Sequence, residues 1–152
     1  MDNTELVKFL KEANLSGYGS GKGAVPSSRP QSKDLKYEKG DFIFHDSYFG
    51  GENFIGTEII YYKNKPVWGM SYYGWTPPCE KSPDQVFGFL RRVLLMDTGD
   101  IIPVRGPRLV VDGGFKYENF VTGDMDNFQG NEHILYNGKA AHICRFAGGK
   151  VI

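Results

Sequence analysis

Residues 53–74, NFIGTEIIYYKNKPVWGMSYYG, align without a gap on residues 127–148, NFQGNEHILYNGKAAHICRFAG. The identities are Asn53/Asn127, Phe54/Phe128, Gly56/Gly130, Glu58/Glu132, Ile60/Ile134, Tyr62/Tyr136, Lys65/Lys139 and Gly74/Gly148, where ordinary composition gives roughly one or two. Upstream, Leu35 to Gly40 (LKYEKG) lies at the same offset from Leu109 to Gly114 (LVVDGG), with one residue of slippage between the two blocks. A helical pattern precedes each block. Two copies are too few for a solenoid, so the pattern predicts an α+β fold that is internally duplicated, each copy a helix followed by about four antiparallel strands, related by a pseudo-twofold. The chain reads as a single domain, 1–152, with halves of about 1–75 and 82–152.

Leu6, Phe9, Leu10 and Ala13 recur at helical spacing and predict an amphipathic helix over 2–14, with Asp2 and Glu5 at capping-box spacing. Residues 17–33, GYGSGKGAVPSSRPQSK, lack periodicity and read as a mobile loop; Gly21-Lys22-Gly23 resembles a phosphate loop only superficially, because a glycine stands where a hydroxyl residue is needed. Strand patterns follow at about 35–38, 41–49, 54–62 and 67–74. Ser82, Pro83 and Gln85 then supply the N-cap, first helical position and capping-box partner of a second helix, whose stripe is Val86, Phe89, Leu90, Val93 and Leu94, ending near Gly99. A second strand set is predicted at about 108–112, 115–121, 128–136 and 140–147.

Asn137-Gly138 is a strong hairpin signal, and as a two-residue turn it pairs Tyr136 with Lys139. Carried along both strands without interruption, that register puts Phe128, Gly130, Glu132 and Ile134 on the apolar face, opposite Ala147, Arg145, Ile143 and Ala141. It makes Glu132 an inward carboxylate with Arg145 as its diagonal partner, a structural ion pair. The same register places Glu58 inward among Gly56, Gly69 and Ser71, with no local cation. A carboxylate facing a core has to be protonated, find a distant cation or bind something. Two readings of Glu58 stand: a ligand-facing group beside Gly56, Gly69, Ser71, Tyr73, Tyr48 and Arg105, or a structural partner of Arg105 or Arg91. The opposite face of the first hairpin, with Ile55, Ile59 and Tyr61, should be covered by a helix or a second subunit.

With 18 basic and 18 acidic residues the formal net charge is zero, which argues against a nucleic-acid partner. The two cysteines, Cys79 and Cys144, and the lack of an apolar leader or run of membrane length carry the expectation of a cytoplasmic protein with no membrane partner. His133, His142 and Cys144 converge in the predicted register, but no ligand-spacing motif supports a metal, and no cofactor or catalytic signature is present. Inward carboxylates among the aromatics of residues 42–75 suit a cationic or amine-bearing small molecule. The alternatives are an enzyme using Glu58 as general acid or base beside Tyr73, Tyr48 or His45, and a homodimeric interaction module.

GENFIGTEIIYYKNKPVWGMSYYG, with SSRPQSKDLKYEKGDFIFHDSYFGG, Arg105-Gly106-Pro107 and Tyr117-Glu118-Asn119, resembles a bacterial family known only as a domain of unknown function. The resemblance spans nearly the whole chain and rests on the FxGxE and PVWGMxYYG motifs. Members sometimes follow a helix-turn-helix of regulator type, which implies a sensor or effector-binding role. A weaker resemblance, to duplicated effector-binding domains of the gyrase-inhibitor-like type, is one of fold only.

Overall fold

The computed structural model describes residues 2–20 and 23–152, with backbone only for 18–20. Helix α1 (Asn3–Ser20) is followed by strands β1 (Ala24–Val25), β2 (Lys33–Lys39), β3 (Phe42–Gly50), β4 (Phe54–Tyr62) and β5 (Lys65–Trp75). Helix α2 (Pro83–Leu94) then leads to β6 (Leu109–Asp112), β7 (Phe115–Asp124), β8 (Asn127–Tyr136) and β9 (Lys139–Lys150). All nine strands join one antiparallel sheet in the order β1-β2-β3-β4-β5-β9-β8-β7-β6. The fold is therefore mixed α+β, with two meanders meeting at the β5–β9 pair.

Local sequence accounts for the element ends. Ser82 Oγ accepts from the Gln85 backbone N–H at 3.3 Å while Gln85 Oε1 accepts from the Ser82 N–H at 3.1 Å, so the capping box forms as expected and Pro83 takes the first turn. Helix α2 stops at Leu94, short of Gly99. Asp2 caps α1 by accepting from the Thr4 N–H at 3.1 Å; among the described residues Glu5 makes no hydrogen bond back to it. Helix α1 runs past the expected end at residue 14, absorbing the start of the expected loop, and Ala24–Val25 add a short edge strand on β2. Gly21 and Lys22, of the run that superficially resembles a phosphate loop, lie outside the described residues. The β4–β5 and β8–β9 hairpins turn on left-handed backbone, at Lys63 and Asn64 (φ 50° and 62°) and at Asn137 and Gly138 (φ 47° and 79°).

The expected pairing of Tyr136 with Lys139 is present, but it does not run on unbroken. The ladder jumps from Leu135↔Ala140 to Ile134↔His142, leaving Ala141 as an extra residue, and Ile60↔Trp68 with Tyr61↔Pro66 leaves Val67 extra in the first hairpin. A bulge of one residue reverses the facing of everything beyond it. Met70, Tyr72, Cys144 and Phe146 therefore share a face with Glu58 and Glu132, while Gly69, Ser71, Tyr73 and Arg145 lie on the other.

Both helices pack on the face carrying the two glutamates. Leu6, Phe9, Leu10 and Ala13 of α1 meet Phe44, Ile60, Trp68, Met70 and Tyr72. Val86, Phe89, Leu90 and Val93 of α2 meet Phe115, Tyr117, Ile134 and Ala141. Burying such side chains stabilises the fold by roughly 1.5 to 3 kcal/mol each. The reverse face stays open around Ile55, Tyr73 and Phe120, so the cover expected over Ile55 is not supplied by a helix. Among the described residues no helix is long and apolar enough to cross a membrane.

Candidate functional site

Strands β3, β4, β7 and β8 carry polar side chains into an otherwise apolar helix-facing layer. Asp46 pairs directly with Glu58 across β3 and β4, and Asn119 pairs with Glu132 across β7 and β8. Asp46 is 4% exposed, Glu58 2% and Glu132 0%. Such groups persist in a core only with compensation.

Glu132 is fully compensated. The loop after α2 brings Arg105 inward, and its Nε and Nη2 donate to Glu132 Oε2 and Oε1 at 3.0 and 2.8 Å. The Tyr117 hydroxyl donates to Oε2 at 2.7 Å, and His142 Nε2 lies 3.1 Å from Oε1. Burial alone would raise the Glu132 pKa, but the Arg105 charge and the His142 and Arg105 hydrogen bonds outweigh it and hold the carboxyl well below the usual range. Burial, with Glu132 adding to it, pushes the Tyr117 phenol well up.

Asp46 has a different environment. The Tyr72 hydroxyl donates to its Oδ1 at 2.7 Å, and no described residue hydrogen-bonds Oδ2. Burial raises its pKa to about 6, with the Tyr72 hydrogen bond and the Arg105 charge only partly opposing. Asp46 lies on the wall of a cavity of about 600 Å³ between α2 and strands β2 to β4. Tyr48, Phe54, Tyr72, Phe87 and Arg105 line the same space. This is the size and mixed lining of a small-molecule site.

Of the residues singled out in the sequence, Tyr48 and Arg105 reach this cavity, as does Arg91. Glu58 is buried next to Asp46. Gly56 shares its face, but a side chain there would run into the Tyr72 phenol and the Tyr48 Cβ, so the glycine makes room for Tyr72. Gly69, Ser71 and Tyr73 do not surround Glu58; the Val67 bulge puts them on the open face, with Ser71 and Tyr73 exposed. Arg145 does not pair with Glu132 either. It is exposed opposite Asn131, its guanidinium 5.3 Å from the Trp75 ring.

His133 is separated by the sheet from buried His142 and Cys144, and among the described residues no cluster could hold a metal. The Cys144 thiol is pushed up to about 12 by burial, which leaves it unreactive. His45 faces away from the cavity, its Nε2 2.6 Å from Asp34 Oδ2. The Ser28 and Ser32 hydroxyls also donate to Asp34, at 2.6 and 2.5 Å; these hydrogen bonds hold its carboxyl below the usual range although burial acts the other way.

Sequence reasoning missed Asp46, Tyr72 and Phe87. Asp46 had a visible signal, since Phe42, Phe44, Asp46 and Tyr48 alternate along β3 and place one carboxylate in an aromatic row. Tyr72 is hidden by the bulge, since a register without Val67 as an extra residue turns it away from Glu58, whereas it pairs with Gly56 on the same face.

Chemically, the arrangement places a fixed ion pair, Arg105–Glu132, beside a carboxyl group whose pKa burial raises to about 6, in an aromatic-walled space. It can exchange a proton or hold a charged group of a small molecule. Neither a curated protein nor a solved structure matches the chain. A family model described as a domain of unknown function, DUF5680, matches residues 46–151, from Asp46 through β9, and the chain belongs to that family.

Proposed function

We propose that the chain is a small-molecule-binding domain of sensor type, with its ligand in the cavity between α2 and β2 to β4. The observation that carries this is Asp46, a buried carboxylate on the wall of a cavity of about 600 Å³, with Oδ1 held by the Tyr72 hydroxyl and Oδ2 without a hydrogen bond from any described residue. The resemblance to domains that follow helix-turn-helix regulators supports a sensing role. Screening a metabolite library by thermal shift tests it, using wild type beside Gly51→Trp. Gly51 borders the cavity, its backbone is outside the left-handed region, and open space surrounds its Cβ position, so the indole blocks the mouth without disturbing the core. Compounds that raise the melting temperature of wild type but not of Gly51→Trp support the reading, since a ligand at a hundred times its Kd adds about 2.7 kcal/mol. A library without a compound that behaves this way counts against it.

A second reading, acid–base catalysis on the bound molecule, is favoured by the Asp46 pKa of about 6 beside the Tyr72 hydroxyl. The group concerned is Asp46, with Glu58 behind it. Turnover of a compound found in the screen, lost in Asp46→Asn, would promote this reading.

We also infer that the sheet arose by duplication. Support comes from the β5–β9 register, which pairs Tyr72 with Phe146, residues separated by the offset that aligns 53 with 127. Gly50 (φ 98°) and Gly123 (φ 94°) pack alike on Asn53 and Asn127, and both hairpins bulge at corresponding places.

A further inference from the structure

We propose that the cavity takes an organic ammonium ion, an aryl or alkyl amine in its protonated form, and that this ligand and a proton compete for Asp46 Oδ2. The inference rests on the binding reading above and adds the ligand's charge, its contact atom and its pH dependence.

Geometry selects the charge. Asp46 has Oδ1 occupied by the Tyr72 hydroxyl at 2.7 Å, so a hydrogen-bonding ligand meets Oδ2, which as a carboxylate oxygen accepts and cannot donate. An ammonium brings donors and the matching charge together, and charge-assisted hydrogen bonds of this kind are about twice as strong as neutral ones. The rings of Tyr48, Phe54 and Phe87 on the same walls supply negative faces to a cation and apolar surface to its carbon skeleton.

Among the described residues, the charged groups around Asp46 leave that role to it. Glu58, its cross-strand neighbour on β4, is also acidic. Leu35, opposite on β2, is apolar. Arg105 faces Asp46 from the loop after α2, but its Nε and Nη2 donate to Glu132, so it acts on Asp46 through its field and makes no hydrogen bond to it. Asp84 and Arg91 on α2, with Lys33 and Glu52, also border the cavity; they offset one another in sign. Asp34 and His45 act on Asp46 from the other side of the sheet, in opposite directions.

Proton balance follows. Below the Asp46 pKa of about 6 the site is mostly the neutral acid, and binding RNH3+ expels one proton to solvent; above it the carboxylate is already formed and binding releases none. A neutral ligand of the same shape shows no such linkage.

Calorimetric titration with benzylamine, and with benzyl alcohol as its neutral counterpart, tests the proposal in two buffers of different ionisation enthalpy from pH 5 to pH 8. Benzylamine stays protonated throughout, so its affinity should rise about tenfold over that range, with close to one proton released per molecule at the acid end and none at the alkaline end. Benzyl alcohol should bind weakly and without pH dependence. Asp46→Asn should lose the proton release and at least tenfold of the benzylamine affinity. Should that variant fail to fold, the buffer and pH dependence of wild type decides alone. Benzylamine affinity flat with pH, proton release absent at pH 5, or no benzylamine binding each overturns the ammonium proposal. If benzyl alcohol or library compounds still bind in a manner that Gly51→Trp abolishes, the binding reading survives that failure; if nothing binds, both fall.

Discussion

Arg105 and Glu132 form a two-point ion pair in the core, with Nε to Oε2 at 3.0 Å and Nη2 to Oε1 at 2.8 Å, the arginine side chain 5% and the glutamate side chain 0% exposed. The pair ties the loop between α2 and β6 to the middle of β8. It thereby sets where the wall of the cavity stands, because Arg105 is part of that wall.

Breaking the pair from one side leaves a buried charge behind. Glu132→Gln should cost roughly 3 to 5 kcal/mol, read from the midpoint of a urea melt. Arg105→Met should cost a similar amount, and the double variant clearly less than the sum, since each change removes the charge that strands the other. Additive losses would show that the two groups are not energetically coupled.

Glu132 also sets the acid limb of stability. Its folded pKa lies below the ordinary carboxylate value of 4.5, so the stability it confers is complete above that value and is lost as pH falls through the folded one. Wild type should therefore weaken progressively below about pH 4.5, and Glu132→Gln, already weaker at neutrality, should show a shallower acid limb in melts at stepped pH.

Arg145→Ala separates the observed structure from the register without bulges. In that register the arginine neutralises Glu132, and its removal costs several kcal/mol. Exposed opposite Asn131, it should change stability by no more than about 0.5 kcal/mol. A loss as large as that of Glu132→Gln would mean that Arg145 faces Glu132 and is its charge partner.

That bulge marks the boundary of what the sequence discloses. Strands, helix caps and the turns of the β4–β5 and β8–β9 hairpins follow from local chemistry: Ser82, Pro83 and Gln85 specify the start of α2, and Asn137-Gly138 specifies its turn. The inward direction of Phe54, Gly56, Glu58 and Ile60 is equally local, a matter of alternation along one strand. The facing of β5 and β9 relative to β4 and β8 is not local, because Val67 and Ala141 carry no glycine or other mark of a bulge, and one extra residue exchanges Ser71 for Tyr72 and Arg145 for Cys144. The sequence leaves Arg105 open as a partner for Glu58; that it meets Glu132 depends on how the loop after α2 folds back, and no spacing rule encodes that. The site was legible as inward carboxylates among aromatics, and illegible in which carboxylate meets the cavity.

Gly56→Ala should disturb the cavity before it disturbs the fold. The new methyl group meets the Tyr72 ring and hydroxyl and the Tyr48 Cβ, so Tyr72 has to swing and its hydroxyl leaves Asp46 Oδ1. Overpacking of this kind costs about 1 to 3 kcal/mol. Losing the Tyr72 hydrogen bond, which lowers the Asp46 pKa, should also move that pKa further up. Titration of the Asp46 carboxyl carbon by NMR in both proteins checks the direction; an unchanged titration would show that the phenol keeps its place.

Asp46→Asn should stabilise the protein at neutral pH, which is unusual for removing a buried charge. In the unfolded chain this carboxyl ionises at its ordinary value of 3.8, and in the fold at about 6. A folded pKa above the unfolded one means that the folded state binds the proton more tightly, so ionisation costs nothing below pH 3.8 and its penalty grows as pH rises from there through 6. Above that range the penalty is constant. At 1.36 kcal/mol per pK unit it is on the order of 2 to 3 kcal/mol, and the asparagine, which can still accept from Tyr72, avoids it. Urea melts of wild type and Asp46→Asn from pH 4 to pH 8 should therefore start together at the acid end and diverge in favour of the variant, reaching their full separation near pH 7. Equal stabilities across the range would mean that Asp46 ionises at its ordinary value in the fold, and a variant that weakens as pH rises would mean that the carboxylate is held by a partner charge.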